Sequence, residues 1–310
     1  MLLNLDQVET LLGKRPIKML PLMGGNSSLV YEVLFADGQR QVLKFAEGDT
    51  WLKAEQIFLD AWAKIGIRTP RVYEHGTVPD SPFAYLLMEF VSGQNLFPLL
   101  EAETVPCTEV EQDLGHILAR MHTEAGHGYG QVQVSEDGSI QGEVESLTDM
   151  LVLQEWRDTL SANVAKGYLT SEEVQLAHQA INTLVEHRGK DGGSYTHNDF
   201  RAGNILYDPR QAEPYAVIDP GPELNHPYLC LAYSLILTEI HGHIDPAHFR
   251  RGYHKISPID EEALEAAIFL CMLKLLPRWG KPGAQYAEVL QTLFQRKKDK
   301  LNRKNTRNNL

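Results

Sequence analysis

The chain has 310 residues, 43% of them hydrophobic and 23% charged, with a formal net charge of -12 at pH 7 and no repeat or low-complexity block; this is an ordinary globular composition, long enough for two lobes. The charge is uneven: Arg296 to Leu310 carries +6, so residues 1–295 carry -18, which argues against nucleic acid as a partner of the body and suits a cationic small molecule or plain solubility. Met1 to Asp6 lacks a secretion-signal pattern and Tyr228 to Leu237, the longest apolar run, is too short for a bilayer, while Cys107, Cys230 and Cys271 form neither a disulfide framework nor a zinc pattern; no membrane association and a cytoplasmic location are expected.

Residues 4–13 read as a short amphipathic helix. Ile17 to Leu22, Leu29 to Phe35 and Gln41 to Phe45 read as strands, with a hairpin signal at Ala36-Asp37-Gly38. Between the first two lies Met23-Gly24-Gly25-Asn26-Ser27-Ser28. Its N–H groups and hydroxyls would suit phosphate oxygens, although two glycines in a hairpin more often make only a turn. Lys44 stands between Leu43 and Phe45, so strand alternation turns it away from them, towards a cleft. Apolar residues at helical spacing predict a helix over Thr50 to Ile65, with Glu55 in its first half. Arg71 to Glu74 and Pro82 to Phe90 read as two further strands. Everything later reads as helix: Val110 to Thr123, Ser146 to Val164, Ser171 to Glu186, Pro227 to Ile240, Glu261 to Leu276 and Ala284 to Lys298. The exception is a hairpin of Ile205-Leu206-Tyr207 against Tyr215 to Ile218, turning at Asp208-Pro209-Arg210. The basic tail could touch nucleic acid or an anionic surface, but reads first as a solvated helix end that frays.

That hairpin would bring Asn204 and Asp219 to the same end. An amide oxygen beside a carboxylate makes a hard-cation site suited to Mg2+ carrying a nucleotide phosphate. Asp199, on the loop before Asn204, would be free to take a proton from a hydroxyl. The simpler alternative is that Asp199 and Asn204 cap a turn. Four polar residues at these spacings, His197, Asp199, Asn204 and Asp219, favour chemistry.

The pattern H-x-D-x4-N followed by Ile218-Asp219 resembles the protein-kinase-like superfamily, and within it the aminoglycoside phosphotransferase and choline kinase branch. The resemblance implies an α+β, two-lobed protein-kinase-like fold: a small five-stranded antiparallel N-lobe with one helix over 1–91, and a larger, mainly helical C-lobe over 92–310. It implies a kinase that moves the γ-phosphate of ATP (GTP being the alternative) to a small hydroxyl-bearing acceptor. Asp199 would be the base and His197 a brace of its loop. Asn204 and Asp219 would hold Mg2+, and Lys44, backed by Glu55, would hold the α- and β-phosphates. Gly25, Asn26, Ser27 and Ser28 would cover the phosphates. Backbone groups near Glu89 and Val91, in the stretch resembling the hinge, would hold adenine. Arg201 either contacts the transferring phosphoryl or makes a salt bridge within the loop.

Several departures point to a small-molecule kinase rather than a regulated protein kinase. Asn198 stands where H-R-D has arginine, and Asp219-Pro220-Gly221 replaces D-F-G, removing the phenylalanine switch. A helix restarting near Pro227 leaves no room for an activation segment. Cys230-Leu231-Ala232 occupies the place of D-L-A, so local hydrogen bonding there must differ. A nucleotide-binding scaffold without turnover is the alternative in another class. The acceptor is not legible, and the oligomeric state stays between monomer and homodimer.

Overall fold

The computed structural model describes residues 4–22, 28–135, 137–152, 154–171, 173–187, 192–241, 245–280 and 286–308. In chain order they form α1 (Leu5–Leu12), β1 (Pro16–Pro21), β2 (Leu29–Phe35), β3 (Arg40–Glu47), α2 (Asp49–Lys64), β4 (Val72–Thr77), β5 (Phe83–Glu89), β6 (Gln94–Asn95), α3 (Leu96–Glu101), α4 (Cys107–Met121), β7 (Tyr129–Val134), β8 (Ile140–Val144), α5 (Leu147–Val152), α6 (Gln154–Ala165), α7 (Val174–Glu186) and β9 (Ser194–Thr196). There follow β10 (Ile205–Tyr207), β11 (Tyr215–Val217), β12 (Glu223–Asn225), α8 (Pro227–His241), α9 (Pro246–His254), α10 (Glu261–Trp279) and α11 (Ala287–Asn308). The chain divides into two compact units, one of Met1–Leu96, Val132–Ile140 and Ala202–Pro222, the other of Phe97–Gln131, Gln141–Arg201 and Glu223–Leu310.

The first unit is built on the expected five-stranded antiparallel sheet, in the order β1-β2-β3-β5-β4. Strand alternation sorts its side chains into two cores. Val33, Phe35, Leu43, Phe45, Tyr85 and Leu87 pack on one face with Val8 of α1. Ala46, Ala84, Leu86 and Met88 pack on the other with Leu52 of α2. β5 is therefore buried on both faces and reads as a continuous apolar run. Lys44, between Leu43 and Phe45, belongs to the face covered by α2. A second, three-stranded sheet, β11-β10-β6, adds later chain to this unit.

The second unit is mainly helical, around α10. Asp260 caps that helix by accepting from the N–H groups of Glu262 and Ala263, both at 2.9 Å. Nearly every side chain from Ala263 to Leu273 is buried, as a central helix requires. Pro277 lies inside it and has no N–H to give the Leu273 carbonyl. Asn163 of α6, itself fully buried, supplies the missing donor: its Nδ2 lies 2.8 Å from Leu273 O. Asn163→Leu should therefore cost about 1–3 kcal/mol in urea unfolding, because it strands a buried carbonyl. In a Pro277→Ala background the helix can close that bond itself, and the cost should shrink. Equal costs in both backgrounds would contradict this account.

Helices α4 and α9 cross at two glycines. A Cβ on Gly115 would lie 2.0 Å from Phe249 O, and one on Gly252 would lie 1.9 Å from Gln112 O, so only glycine permits the approach. The helical reading also did not foresee a four-stranded sheet, β8-β7-β12-β9, most of whose residues lie in this unit. β9 and β12 have only three residues each and pair across a long stretch of sequence, so no local period announces them; β7 and β8, six and five residues long and consecutive in the chain, largely alternate in burial, and the helical reading passed over them. The basic tail departs from the expected solvated end in part. Lys297 and Lys300 reach Glu265 at 2.9 and 3.1 Å, and Lys298 reaches Glu173 at 3.1 Å.

Candidate active site

The candidate residues fall into two sets, one in each unit. In the first unit, Lys44 is 3% exposed and Glu55 1%. Lys44 Nζ lies 2.8 Å from Glu55 Oε1, 2.7 Å from Oε2 and 2.6 Å from Asp219 Oδ1. Neither is a solvated surface charge. Burial opposes the ammonium charge, but the carboxylates of Glu55 and Asp219 outweigh it and hold the Lys44 pKa above its ordinary value. The result is a fixed cation aimed by Glu55 at a half-exposed carboxylate. The contact with Asp219 had no signal in the sequence, because it joins β3 to a turn 175 residues later.

Asn204 and Asp219 do stand at one end of a hairpin. Ile205 pairs with Val217 and Tyr207 with Tyr215, and Ile218 N donates to Asn204 O at 3.0 Å. The far turn is held by Asp208, which accepts from the Arg210 guanidinium and backbone; these bonds keep its carboxyl well below the usual range. Asn95 Nδ2 donates to Gly203 O at 2.6 Å, fastening the turn that carries Asn204. Asp219 has φ 54°, a left-handed conformation that asparagine and aspartate tolerate better than most residues. Among the described residues no group of three or more His, Cys, Asp or Glu could hold a metal alone. An amide oxygen and one carboxylate, both hard donors, fit an ion such as Mg2+ that draws its remaining ligands from phosphate and water.

Two expectations for the nucleotide residues need refinement. Glu89 N already donates to Arg71 O at 2.8 Å, so of its backbone groups only the carbonyl is left to consider for adenine. Val91 follows, buried at 6% exposure. Ser28 is half-buried just before β2, whereas Gly25, Asn26 and Ser27 lie outside the described residues.

In the second unit, β9 leads into the loop that carries the remaining candidates. His197 is fully buried. Asp199 N donates to His197 O at 2.7 Å and approaches the ring Nδ1 at 3.3 Å, while Phe200 meets the ring edge-on. His197 thus lies inside the loop, in contact with Asp199 and Phe200. Arg201 Nε lies 3.1 and 3.2 Å from the two oxygens of Asp199. Of the two readings of Arg201, the salt bridge within the loop is the one formed here. Tyr228 and Tyr253 are buried packing residues. Tyr253 bonds His122 Nδ1 at 2.9 Å and Tyr228 stacks on His187. Burial lowers the pKa of His122 to about 3 and of His226 to about 4, so both are neutral imidazoles near pH 7.

This architecture agrees with what comparison with known proteins finds. A sequence profile of the phosphotransferase enzyme family matches residues 18–230. The chain belongs to that family. Streptomycin 6-kinase of Streptomyces griseus is 28% identical over 207 residues, 66% of this chain and 57% of that protein. Hydroxyurea phosphotransferase of Kitasatospora aureofaciens is 28% identical over 219 residues, 70% of this chain and 56% of that protein. The match thus spans a little over half the length of these two relatives. A crystal structure of a thermostable mutant of aminoglycoside phosphotransferase APH(4)-Ia, a ternary complex with ADP and hygromycin B, superposes with a TM-score of 0.64 over 96% of this chain and 97% of that one, at 16% identity. Likeness at that identity shows the protein-kinase-like fold. Among the described residues no helix is long and apolar enough to cross a membrane.

Proposed function

We propose that this member of the phosphotransferase enzyme family is an ATP-dependent kinase of small molecules, transferring the γ-phosphate to an acceptor hydroxyl. The observation that carries the reading is the buried Lys44–Glu55 pair reaching Asp219. Two charges, Lys44 and Glu55, are removed from water at a cost that neutral packing would avoid. A phosphate-binding role accounts for their retention. Lys44 binds the α- and β-phosphates, Glu55 fixes its aim, and Asn204 with Asp219 would hold Mg2+. That ion, when bound, offsets the negative charge of the phosphates. Asp199, five residues before Asn204 in the chain, orients the acceptor hydroxyl and takes its proton on a carboxylate oxygen. The new O–P bond forms as the bond to the β-phosphate oxygen breaks. Arg201 keeps Asp199 in place, and a contact from its remaining guanidinium N–H groups to the phosphoryl belongs to the same reading.

The acceptor is a small hydroxyl-bearing compound, and the acidic body suits a cationic one. A monomer or homodimer in the cytoplasm is in keeping with this. The test is Mg2+-dependent phosphorylation with ATP, and GTP beside it, over streptomycin, hydroxyurea, hygromycin B, choline, ethanolamine, homoserine and simple sugars. Turnover on one acceptor class is the expected result. Tight Mg-ATP binding without turnover on any of them would favour the scaffold reading, and no Mg-ATP binding at all would end the kinase reading.

A further inference from the structure

One acidic residue of the second unit is held against the loop of Asp199 by an arrangement that none of the roles above uses. Glu223 opens β12, and β12 pairs with β9 in the register Glu223↔Thr196, Leu224↔Tyr195 and Asn225↔Ser194. Thr196 Oγ1 donates to Glu223 O at 2.8 Å, pinning the end of β9 where the loop departs. The Glu223 carboxylate then reaches beyond the strand: Oε2 accepts from Asn198 Nδ2, and also from Asn225 Nδ2 at 2.9 Å. Asn198 immediately precedes Asp199 and has φ 53°, the left-handed region. A non-glycine residue persists there only when its surroundings hold it. The hydrogen bond from its amide to a charged acceptor is such a hold, and charge-assisted bonds are the stronger kind.

The loop's other neighbour cannot do the same work. Cys230, in the first turn of α8, is 1% exposed and lies by the backbone of His197 and Asn198. A neutral thiol is a weak acceptor, and burial pushes this one up to about 12, so it stays neutral. Glu223 is the acidic side chain that holds Asn198.

We propose that Glu223 is a positioning residue for phosphoryl transfer, gripping the Asn198 amide and so fixing the left-handed turn that presents Asp199. The inference rests on the reading of Asp199 as the base, and it links two departures, Asn198 and Cys230, as parts of one arrangement. Asn198 supplies an amide to grip, and Glu223 supplies the charge that Cys230 lacks.

The test has an arm that needs no acceptor. Asp199 N–H is bonded to His197 O, so its amide hydrogen exchange reports the closed loop. In the full-length protein, Glu223→Ala should speed exchange in the segment 197–201 by about tenfold or more. Glu223→Gln, which keeps an oxygen for Asn198 but not the charge, should restore part of the protection. With Mg-ATP and the acceptor most rapidly turned over in the panel, Glu223→Ala should lower kcat by about 10- to 100-fold. Both KM values should stay within about twofold. Asn198→Gly accommodates the positive φ but removes the grip, so adding Glu223→Ala to it should have little further effect. Unfolding midpoints of all variants identify any that are simply misfolded, and Asn198→Gly then carries the comparison. Unchanged exchange and kcat in Glu223→Ala, a raised acceptor KM at constant kcat, or an equal loss in both backgrounds would overturn the proposal. If Asp199→Ala is inactive in that case, the reading of Asp199 stands without it; full turnover in Asp199→Ala overturns both.

Discussion

Asp199→Ala is expected to lower kcat by about 100- to 10,000-fold, the range over which a positioned general base acts, while leaving Mg-ATP binding within about twofold. The carboxylate is in the second unit, held by Arg201 at 3.1 and 3.2 Å, whereas Lys44, Glu55, Asn204 and Asp219 all belong to the first. Removing it therefore should not disturb the residues proposed to hold the nucleotide. Calorimetric titration with Mg-ADP beside steady-state kinetics separates the two effects. Asp199→Asn should be nearly as inactive, because the amide keeps the shape and cannot take the proton. A variant that lost nucleotide binding along with turnover would show that Asp199 acts elsewhere than on the acceptor.

Lys44→Met should have a double effect. It removes the cation proposed for the α- and β-phosphates, and kcat/KM for Mg-ATP should fall by about 100- to 1,000-fold, as for other preorganised charges. It also strands Glu55, which is 1% exposed. Breaking a buried pair costs about 3–5 kcal/mol if the remaining charge must stay ionised. Glu55 can relieve part of that by taking a proton. Burial already pushes its pKa up, and without Lys44 nothing nearby opposes the push. A carboxyl whose folded pKa lies above its unfolded value contributes stability below the unfolded pKa and loses it as pH rises through the folded one. The variant should therefore be closest to wild-type stability in acid and fall behind it as pH approaches 7. Lys44→Met/Glu55→Gln should recover stability at pH 7 and none of the activity. Recovery of both would mean that the pair serves packing alone.

The parts of the site that could be read in the sequence are those fixed by local geometry. Alternation along β3 is enough to turn Lys44 from Leu43 and Phe45, and helical spacing is enough to put Glu55 early in α2. The hairpin signal of Asp208-Pro209-Arg210 between two apolar runs brings Asn204 and Asp219 together without any tertiary information. What stayed hidden depends on distant pairing. β12 has three residues between prolines and a helix start, so neither its strand character nor the direction of Glu223 follows from a period. Helix α9 is short, and it is held by the bare backbone approach at Gly115 and Gly252 rather than by a long apolar stripe. Asn163 looks like any polar residue of a helix until the carbonyl left open by Pro277 is found beside it.

The first unit is not a continuous length of chain: it takes in 202–222 along with residues 1–96. During synthesis, the five-stranded sheet can leave the ribosome long before Asp219 has been made. At roughly 5–20 residues per second the wait is on the order of ten seconds. Until then Lys44 and Glu55 have only each other, and the nucleotide residues are incomplete. A nascent chain halted before residue 219 should therefore hold a formed sheet with little power to retain Mg-ATP, and the capacity should arrive late and in a single step.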